Sequence, residues 1–204
     1  MTDTTPRERR HQRTRDAILQ AAIEMIREKG ADKLSLRAIA RKIDYSPAGL
    51  YEYFGSKEEI IEAVCMRANS FLTRYLRAVS PEMPLDDYLV EVGLAYVSFA
   101  HENPEMFTML FMNMSGPTEA ITIDQLDEQD AFSIVAKAIQ SGIESGKIKL
   151  DPDLNAIEIS YGLWAVVHGM AVLQVTYLEA FPLNYERADR YTIRVFIDGL
   201  MQQK

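Results

Sequence analysis

Apolar positions along the chain recur mostly at the three- and four-residue spacing of α-helices. A helix is predicted over 14–29, because one apolar stripe is formed there by Ile18, Ala21, Ala22, Met25 and Ile26. Gly30 ends this helix, since glycine readily adopts the left-handed conformation that follows many helices. Two short helices are predicted next, at about 36–43 and 46–54.

A capping box from Ser56 to Glu59 predicts a fourth helix that reaches about residue 79. Five more helices are predicted at 86–102, 104–114, 125–145, 153–179 and 184–202, separated by proline, glycine and asparagine. Strand signals are weak. We therefore predict an all-α chain of about nine helices. A boundary inside the fourth helix divides it into an N-terminal domain, 1–60, and a larger domain, 61–204.

Composition favours a soluble cytoplasmic protein with no membrane partner. The single cysteine, Cys65, excludes an internal disulfide and a cysteine-based zinc site. The polar, Arg-rich N-terminus lacks the apolar segment of a secretory signal. No uncharged apolar stretch reaches the ~20 residues that cross a bilayer. Residues 159–178 come close, but His168 and Gln174 favour a buried helix.

The net charge of -8 is unevenly distributed. Residues 1–60 carry 12 Lys and Arg against 10 Asp and Glu, and within 7–42 the count is 11 against 5. Residues 61–204 carry 10 basic against 20 acidic side chains. A basic module on an acidic body can still meet phosphates, because the local field at the docking face is what counts.

The two short helices, joined by a tight turn at Asp44-Tyr45, have the proportions of a helix-turn-helix. In that motif the second helix lies in the major groove with its N-terminal residues at the base edges. Compact residues let the backbone approach the bases, and tyrosine hydroxyls can bond phosphate oxygens. Ser46 and Ser56 each begin a helix, whose free N–H groups suit a phosphate.

The run from Leu34 to Lys57 resembles the helix-turn-helix of the TetR family of bacterial transcriptional regulators. It contains an alanine-bearing helix, a tight turn, and Leu-Tyr-x-x-Phe followed by a lysine; the resemblance spans about residues 14–63. Two positions depart from the family pattern. Asp44 stands where the turn glycine is usual, and Gly49 stands where a threonine or similar side chain often touches DNA.

The resemblance implies roles for individual residues. Arg37 would reach a base or phosphate, and Tyr51 and Lys57 would clamp backbone phosphates, with Leu50 and Phe54 in the core. The expected DNA-binding residues are Arg37, Tyr45, Ser46, Pro47, Ala48, Gly49, Tyr51 and Lys57. Two alternatives stay open for the Arg-rich arm, which comprises Arg7, Arg9, Arg10, Arg13 and Arg15. It either follows phosphates or enters the minor groove, or it is a solvated, disordered tail.

The remainder resembles the ligand-sensing and dimerisation domain of TetR-like proteins. Trp164 to Gly169 is similar to the Trp-x-x-x-His-Gly motif of one C-terminal subclass. Trp164 and His168 share a helical face and form either a pocket wall or a core pair. The Met-rich segment 106–114 suits an apolar ligand, and a buried central helix, apolar on all sides, is the alternative that each single methionine favours. The expected ligand-binding residues are Tyr96, Met106, Leu110, Phe111, Tyr161, Trp164 and His168.

The last two predicted helices have the character of a dimer interface. They carry more apolar surface than the other helices of one chain would cover, so two from each subunit would form a four-helix bundle. The expected contact residues are Val166, Leu173, Tyr191, Val195 and Phe196. A dimer would place two recognition helices ~34 Å apart on a near-palindromic operator.

Enzyme chemistry has little support. The chain has no glycine-rich phosphate loop, and Cys65 has no histidine near it in sequence. We therefore expect a non-enzymatic repressor without a cofactor. It would bind double-stranded operator DNA as a homodimer and be released by a small apolar or aromatic effector. The alternative is a helical protein–protein interaction module without sequence-specific DNA binding.

Overall fold

The computed structural model describes residues 5–113, 123, 126, 130–149, 154–178 and 181–201. Within this part the chain forms nine α-helices, one short 3-10 helix at Ala31–Lys33 and no strand, which confirms the all-α prediction. The α-helices are α1 (Pro6–Lys29), α2 (Leu36–Lys42), α3 (Pro47–Leu50), α4 (Lys57–Arg77), α5 (Leu85–Glu102), α6 (Pro104–Asn113), α7 (Ala131–Glu144), α8 (Ala156–Thr176) and α9 (Tyr185–Met201).

The described residues form two compact units. The first comprises residues up to Ala68 together with α6 from Glu105 onward, and the second comprises the described remainder. The chain therefore passes from one unit to the other inside α4, between Ala68 and Asn69. The predicted domains, 1–60 and 61–204, include α6 in the larger domain, whereas its packing groups it with the first unit.

The core of the first unit is built on one face of α1. The predicted stripe is buried, and α2, α3 and α4 contribute Ile39, Leu50 and Ile60 to the same cluster. Phe54, which follows α3, is also buried there. Each such side chain stabilises the fold by roughly 1.5–3 kcal/mol when it leaves water. The two short helices are therefore held by tertiary packing on α1, as helices of this length require.

Helix α1 begins at Pro6, eight residues before the predicted start. Thr5 is its N-cap and forms a capping box: the Glu8 N–H donates to Thr5 Oγ1 at 3.2 Å, and the Thr5 N–H donates to Glu8 Oε2 at 2.7 Å. The Thr5 backbone hydrogen bond lowers the pKa of Glu8. The Arg-rich segment is thus helical, so the disordered-tail alternative is wrong, whereas contact of these arginines with phosphate or the minor groove stays a prediction.

Helix α3 is shorter than the predicted 46–54 and ends at Leu50. The backbone then tightens, because the Tyr53 N–H donates to the Leu50 carbonyl at 2.9 Å, a three-residue spacing. This turn directs Phe54 into the core. The physical reason is that burial of Leu50 and Phe54 outweighs the weak tendency of a four-residue helix to continue.

Two contacts hold α6 in the first unit. The Cys65 thiol of α4 donates to the Met109 carbonyl at 3.6 Å, and both residues belong to the core cluster. Burial raises the pKa of Cys65, so the sulfur stays protonated and can donate. At the other end of α6, Glu105 forms an ion pair with Arg27 of α1 at 3.6 Å.

The second unit is a bundle in which α5 packs against α7, α8 and α9. Gly93 of α5 permits this, since a Cβ there would lie 3.1 Å from Ile193 and 3.2 Å from Val167. Between α8 and α9, the buried Asp189 accepts two hydrogen bonds from the Gln174 amide, at 2.9 and 3.0 Å. Burial raises the pKa of Asp189 despite this donor.

The turn between α2 and α3 yields a stability prediction. Asp44 has φ 54°, in the left-handed region, where an L side chain is strained and glycine is not. Asp44→Gly should therefore raise the free energy of unfolding by up to about 1 kcal/mol. Urea denaturation followed by circular dichroism measures the change.

The control for that measurement is Asp44→Val, whose β-branched side chain is disfavoured at positive φ and should lower the stability. A glycine variant that is less stable than the parent would show that the aspartate side chain contributes more than its backbone strain costs.

Candidate functional site

Helices α2 and α3 form a helix-turn-helix over the first unit's core. The Tyr45 N–H donates to the Ala40 carbonyl at 2.8 Å, which closes the turn, and Asp44 supplies the left-handed residue. Leu50 anchors α3 from below. Pro47 and Ala48 are consequently exposed, as a surface that approaches bases requires.

The position of Tyr45 explains the glycine at the start of α3. A Cβ at Gly49 would lie 2.6 Å from Tyr45 Cε1 and 2.9 Å from Ser46 Oγ. The tyrosine ring therefore occupies the space in which a larger residue at position 49 would sit. On its other side, the Tyr45 hydroxyl oxygen lies 3.5 Å from that of Tyr53, and this contact raises the pKa of Tyr45.

The two predicted serine N-caps accept hydrogen bonds from backbone N–H groups of the helices that they begin. Ser46 Oγ accepts the Gly49 N–H at 2.9 Å, and Ser56 Oγ accepts the Glu59 N–H at 3.1 Å. Each serine thus satisfies one N–H of the helix that it begins, and the predicted phosphate contacts of these helix starts stay a prediction. Ser46 contributes by fixing the start of α3.

The remaining predicted DNA-binding residues are side chains that can reach outward. Arg37 is exposed on α2, and Tyr51 is 61% exposed. Lys57 is half-buried at the start of α4, where its ammonium donates to the Asp32 carbonyl at 3.4 Å. A lysine ammonium carries three N–H groups, so this bond leaves donors for a phosphate.

Two residues of α1, His11 and Arg15, contact the end of the segment 47–54, which contains α3 and the turn after it. We call residues 47–54 the recognition segment. The His11 ring stacks on Tyr53, with centroids 4.5 Å apart. The Arg15 guanidinium lies 4.4 Å from the centre of the Phe54 ring and donates to the Tyr53 carbonyl at 3.4 Å. The available signal was periodicity, because His11, Arg15 and Ile18 continue the buried stripe toward the N-terminus.

In the second unit, α5 and α8 bring three predicted ligand residues together. The Trp164 indole N–H donates to the Tyr96 oxygen at 3.2 Å, and that oxygen lies 2.9 Å from His168 Nδ1. The Tyr96 oxygen therefore links the indole of Trp164 to the imidazole of His168. Phe132 of α7 meets Trp164 edge to face at 6.1 Å.

Burial sets the charge of this cluster, defined by Tyr96, Trp164, His168 and Phe132. It lowers the pKa of His168 and raises that of Tyr96, so both side chains are neutral at pH 7. The cluster thus presents aromatic faces and neutral polar groups. It is chemically suited to an apolar or aromatic molecule and not to an anion.

The other predicted ligand residues lie elsewhere. Tyr161 of α8 is 64% exposed. Met106, Leu110 and Phe111 belong to the first unit, where Leu110 is buried and the Phe111 ring lies 5.0 Å from that of Phe107. Met114, at the end of the Met-rich segment, lies outside the described residues. The cluster and these α6 residues therefore occupy different units.

The predicted dimerisation residues fall on α8 and α9. Leu173 is 49%, Tyr191 71% and Val195 54% exposed, while Val166 is half-buried. The Phe196 ring packs inside the protomer, since a Cβ at Gly162 would lie 3.1 Å from it.

Small residues extend the exposed side of both helices. Ala165 is exposed on α8, and at Gly169 and Gly199 an added Cβ would meet no atom within 4 Å. Gly169 therefore faces open space and not a neighbouring helix of its own protomer. Tyr161, Ala165, Gly169 and Leu173 follow one another at four-residue spacing on α8, as do Tyr191, Val195 and Gly199 on α9. We call these seven residues the α8–α9 face.

Helix α8 is the one helix among the described residues whose length and mean hydropathy, 1.4, would allow it to cross a membrane. Only 33% of its most apolar 18-residue window is buried in the protomer, fewer residues than a core helix would bury. No group of three or more His, Cys, Asp or Glu side chains in the described ranges is placed to hold a metal ion.

Comparison with known proteins agrees with this geometry. Residues 18–64 match the profile of bacterial regulatory proteins of the tetR family, and residues 89–195 match that of the tetracyclin repressor-like C-terminal domain. The chain is 27% identical over 191 residues to YobS, an uncharacterised HTH-type transcriptional regulator of Bacillus subtilis, covering 92% of this chain and 93% of YobS. It is 27% identical over 192 residues to the HTH-type transcriptional regulator UidR of Escherichia coli, covering 93% and 94%.

Solved structures share the fold. A Rhodococcus protein of unknown function superposes with a TM-score of 0.77 at 22% identity, covering 92% of this chain and 95% of the other. The TetR family transcriptional regulator PfmR of Thermus thermophilus superposes with a TM-score of 0.60 at 19% identity, covering 90% and 98%. The chain therefore belongs to the TetR family of bacterial regulatory proteins and is a DNA-binding transcriptional regulator.

Proposed function

We propose that this regulator is a cytoplasmic homodimeric repressor that leaves a near-palindromic operator when a small apolar or aromatic effector binds its second unit. TetR regulators bind operator DNA as dimers. The proposed effector site is supported by the neutral aromatic cluster in which Tyr96 of α5 contacts Trp164 and His168 of α8. The relatives named above are regulators, which supports a role without catalysis or a cofactor.

On the DNA side, Pro47, Ala48 and Gly49 form the surface that lies against the base edges. The compactness of these residues supports this assignment, as does the Tyr45 ring beside them. Arg37 reads a base edge from α2, while Tyr51 and Lys57 bond backbone phosphates. Ser46 acts through its cap on α3.

On the effector side, the cluster is the wall of the binding site, in keeping with the Trp-x-x-x-His-Gly subclass. An edge-to-face pair such as Phe132 and Trp164 gains by further aromatic stacking, which favours a flat apolar ligand.

The dimer forms through the α8–α9 face. Its exposed leucine, tyrosines and valine supply apolar area, and its small residues let two helices approach closely. A symmetric pair of such faces makes an isologous four-helix interface. A second copy would cover the apolar surface of α8 that the protomer leaves exposed.

The effector acts through the two described connections of the chain, inside α4 and at the start of α6. Asn103 joins α5 to α6, and its side-chain amide donates to the Tyr75 hydroxyl at 3.3 Å and to the Phe99 carbonyl at 3.2 Å. These bonds hold the end of α5 within the second unit, and a change in α5 would reach the first unit along the chain at Pro104. Ten-thousandfold discrimination, about 5.5 kcal/mol, would reverse a strongly biased equilibrium, and an effector with equal affinity for both states shifts nothing.

The DNA proposal predicts different defects for two substitutions. Lys57→Ala should weaken binding to a selected operator and to random duplex by the same factor, because it removes a phosphate contact. Arg37→Ala should also relax the sequence preference, by about 1–3 kcal/mol at the contacted base pair. Fluorescence anisotropy with both duplexes measures these affinities.

The matched control is Lys147→Ala, which removes an exposed positive charge from the second unit and should change neither affinity. Equal losses on operator and random DNA for the Lys57 and Arg37 variants would defeat this division of roles.

The cluster predicts a pH-dependent signal from Trp164, the only tryptophan of the chain. A protonated His168 ring, 5.9 Å from the indole, should quench its emission. Because burial lowers the His168 pKa, the midpoint should lie below 6.5. The unfolded chain then binds this proton more tightly, so the free energy of unfolding should also fall as the pH drops below about 6.5.

His168→Gln should abolish the transition in emission, whereas His101→Gln, at an exposed histidine, should leave it intact. A midpoint at or above 6.5, or a transition that survives in His168→Gln, would be inconsistent with the cluster. Quenching or enhancement of the same emission by aromatic compounds then screens for the effector.

The dimer proposal predicts that Val195→Glu separates the subunits, because it places a charge in the centre of the α8–α9 face. Sedimentation equilibrium should give a mass near 23.2 kDa for this variant and about twice that for the parent. Met66→Glu, at an exposed apolar residue of α4, is the control and should stay dimeric. A parent protein that is monomeric at all concentrations would rule the interface out.

A further inference from the structure

The first turns of α1 form an unusually basic helical surface. Residues 5–15 contain five arginines and a single acidic residue, Glu8. That carboxylate is engaged by the Thr5 N–H in the capping box, and its pKa is lowered by this bond. Arg7, Arg10 and Arg13 are exposed. The surface is therefore a concentrated positive charge on a segment whose backbone is already ordered.

This surface is continuous with the recognition segment. His11 stacks on Tyr53, and Arg15 bonds the Tyr53 carbonyl and covers the Phe54 ring. Arg7 lies one turn before His11 on the same helical face, and Arg10 is its neighbour at i+3. The arginines that precede the core thus project beside the tyrosines that flank α3, within one compact unit.

We propose that the first two turns of α1 dock, as a preformed helix, on the phosphates that flank the operator sequence read by α3. The proposal rests on the DNA interface proposed above and adds to it a second surface, with Arg7 and Arg10 as the contacting residues. A rigid helix loses less conformational entropy on docking than an arm that must be ordered, so more of each charge contact is retained as affinity.

The distance from Pro6 to the buried part of α1 sets how far this surface can reach along the DNA. Pro6 lies twelve residues before Ile18, the first fully buried position of α1, which corresponds to about 18 Å along the helix axis. At about 3.4 Å per base pair, the contacts extend the protected DNA by at most about five base pairs on each side. Phosphate contacts carry no sequence information, so the flanks need no fixed sequence.

The test uses two variants of the full chain. Arg7→Ala/Arg10→Ala removes the two proposed phosphate contacts. Gln12→Pro keeps every arginine but breaks the helix, because proline removes the hydrogen bond to the Glu8 carbonyl and clashes with it. Affinity is measured over a series of salt concentrations on two duplexes, the selected operator with long flanks and the same operator trimmed to its core.

On the long duplex, the plot of log K against log salt should become less steep for the double arginine variant. The magnitude of its negative slope should fall by about 1.8 per protomer, about 0.9 for each lost contact. Gln12→Pro should give a similar loss. On the trimmed duplex both variants should bind like the parent, as should Lys147→Ala on either duplex. Circular dichroism and melting confirm that the variants are folded.

Three results would overturn the proposal. An unchanged slope for the arginine variant on the long duplex would show that these residues do not meet phosphate. Full affinity of Gln12→Pro would show that a flexible arm suffices, and equal losses on both duplexes would place the contacts inside the core operator. A failure of the DNA interface itself is separate, because the parent would then show no preference for operator over random DNA.

Discussion

Helix α1 organises the first unit, because one of its faces is used without interruption from His11 to Ile26. Apolar side chains of α2, α3 and the start of α4 pack against the apolar part of that face. Its polar continuation, through Arg15 and His11, holds the segment after α3 by a carbonyl hydrogen bond and two ring contacts. A four-residue helix has no stability of its own, so the position of the DNA-reading surface follows from this single face.

Packing also decides where α6 belongs. Its Met-rich sequence suits a ligand pocket or a core, and Met109 lies in the core of the first unit and receives the Cys65 thiol on its carbonyl. Helix α5, directly before it, carries Tyr96 in the second unit. Within the described part, the chain thus crosses between the units at Pro104 as well as inside α4, and both crossings give a change at the aromatic cluster a covalent route to the first unit.

Among the described residues of the second unit, the buried polar side chains have hydrogen-bond partners, whereas several large apolar side chains are exposed to solvent. The hydroxyl of the buried Tyr96 is met by the Trp164 indole N–H and lies beside the half-buried His168. Asp189 depends on Gln174. The apolar side chains of the α8–α9 face have no such cover within the protomer. Exposed apolar surface of this kind is typical of a protein–protein interface, which supports the proposed dimer through this face.

The sequence by itself determined the all-α fold, the nine helices of the described residues, the buried stripe of α1 and the left-handed turn, because periodicity, caps and glycine rules act locally. It also named Tyr96, Trp164 and His168 as ligand residues, but not the hydrogen bonds by which the Tyr96 hydroxyl joins the other two. The helical Arg-rich segment also has a local signal, the Thr5–Glu8 capping box, which the apolar periodicity does not show. Only the tertiary structure decided that α3 ends at Leu50 and that α6 packs with the first unit. Those outcomes depend on side chains distant in sequence, whose packing energy exceeds the small local preferences that a pattern can read.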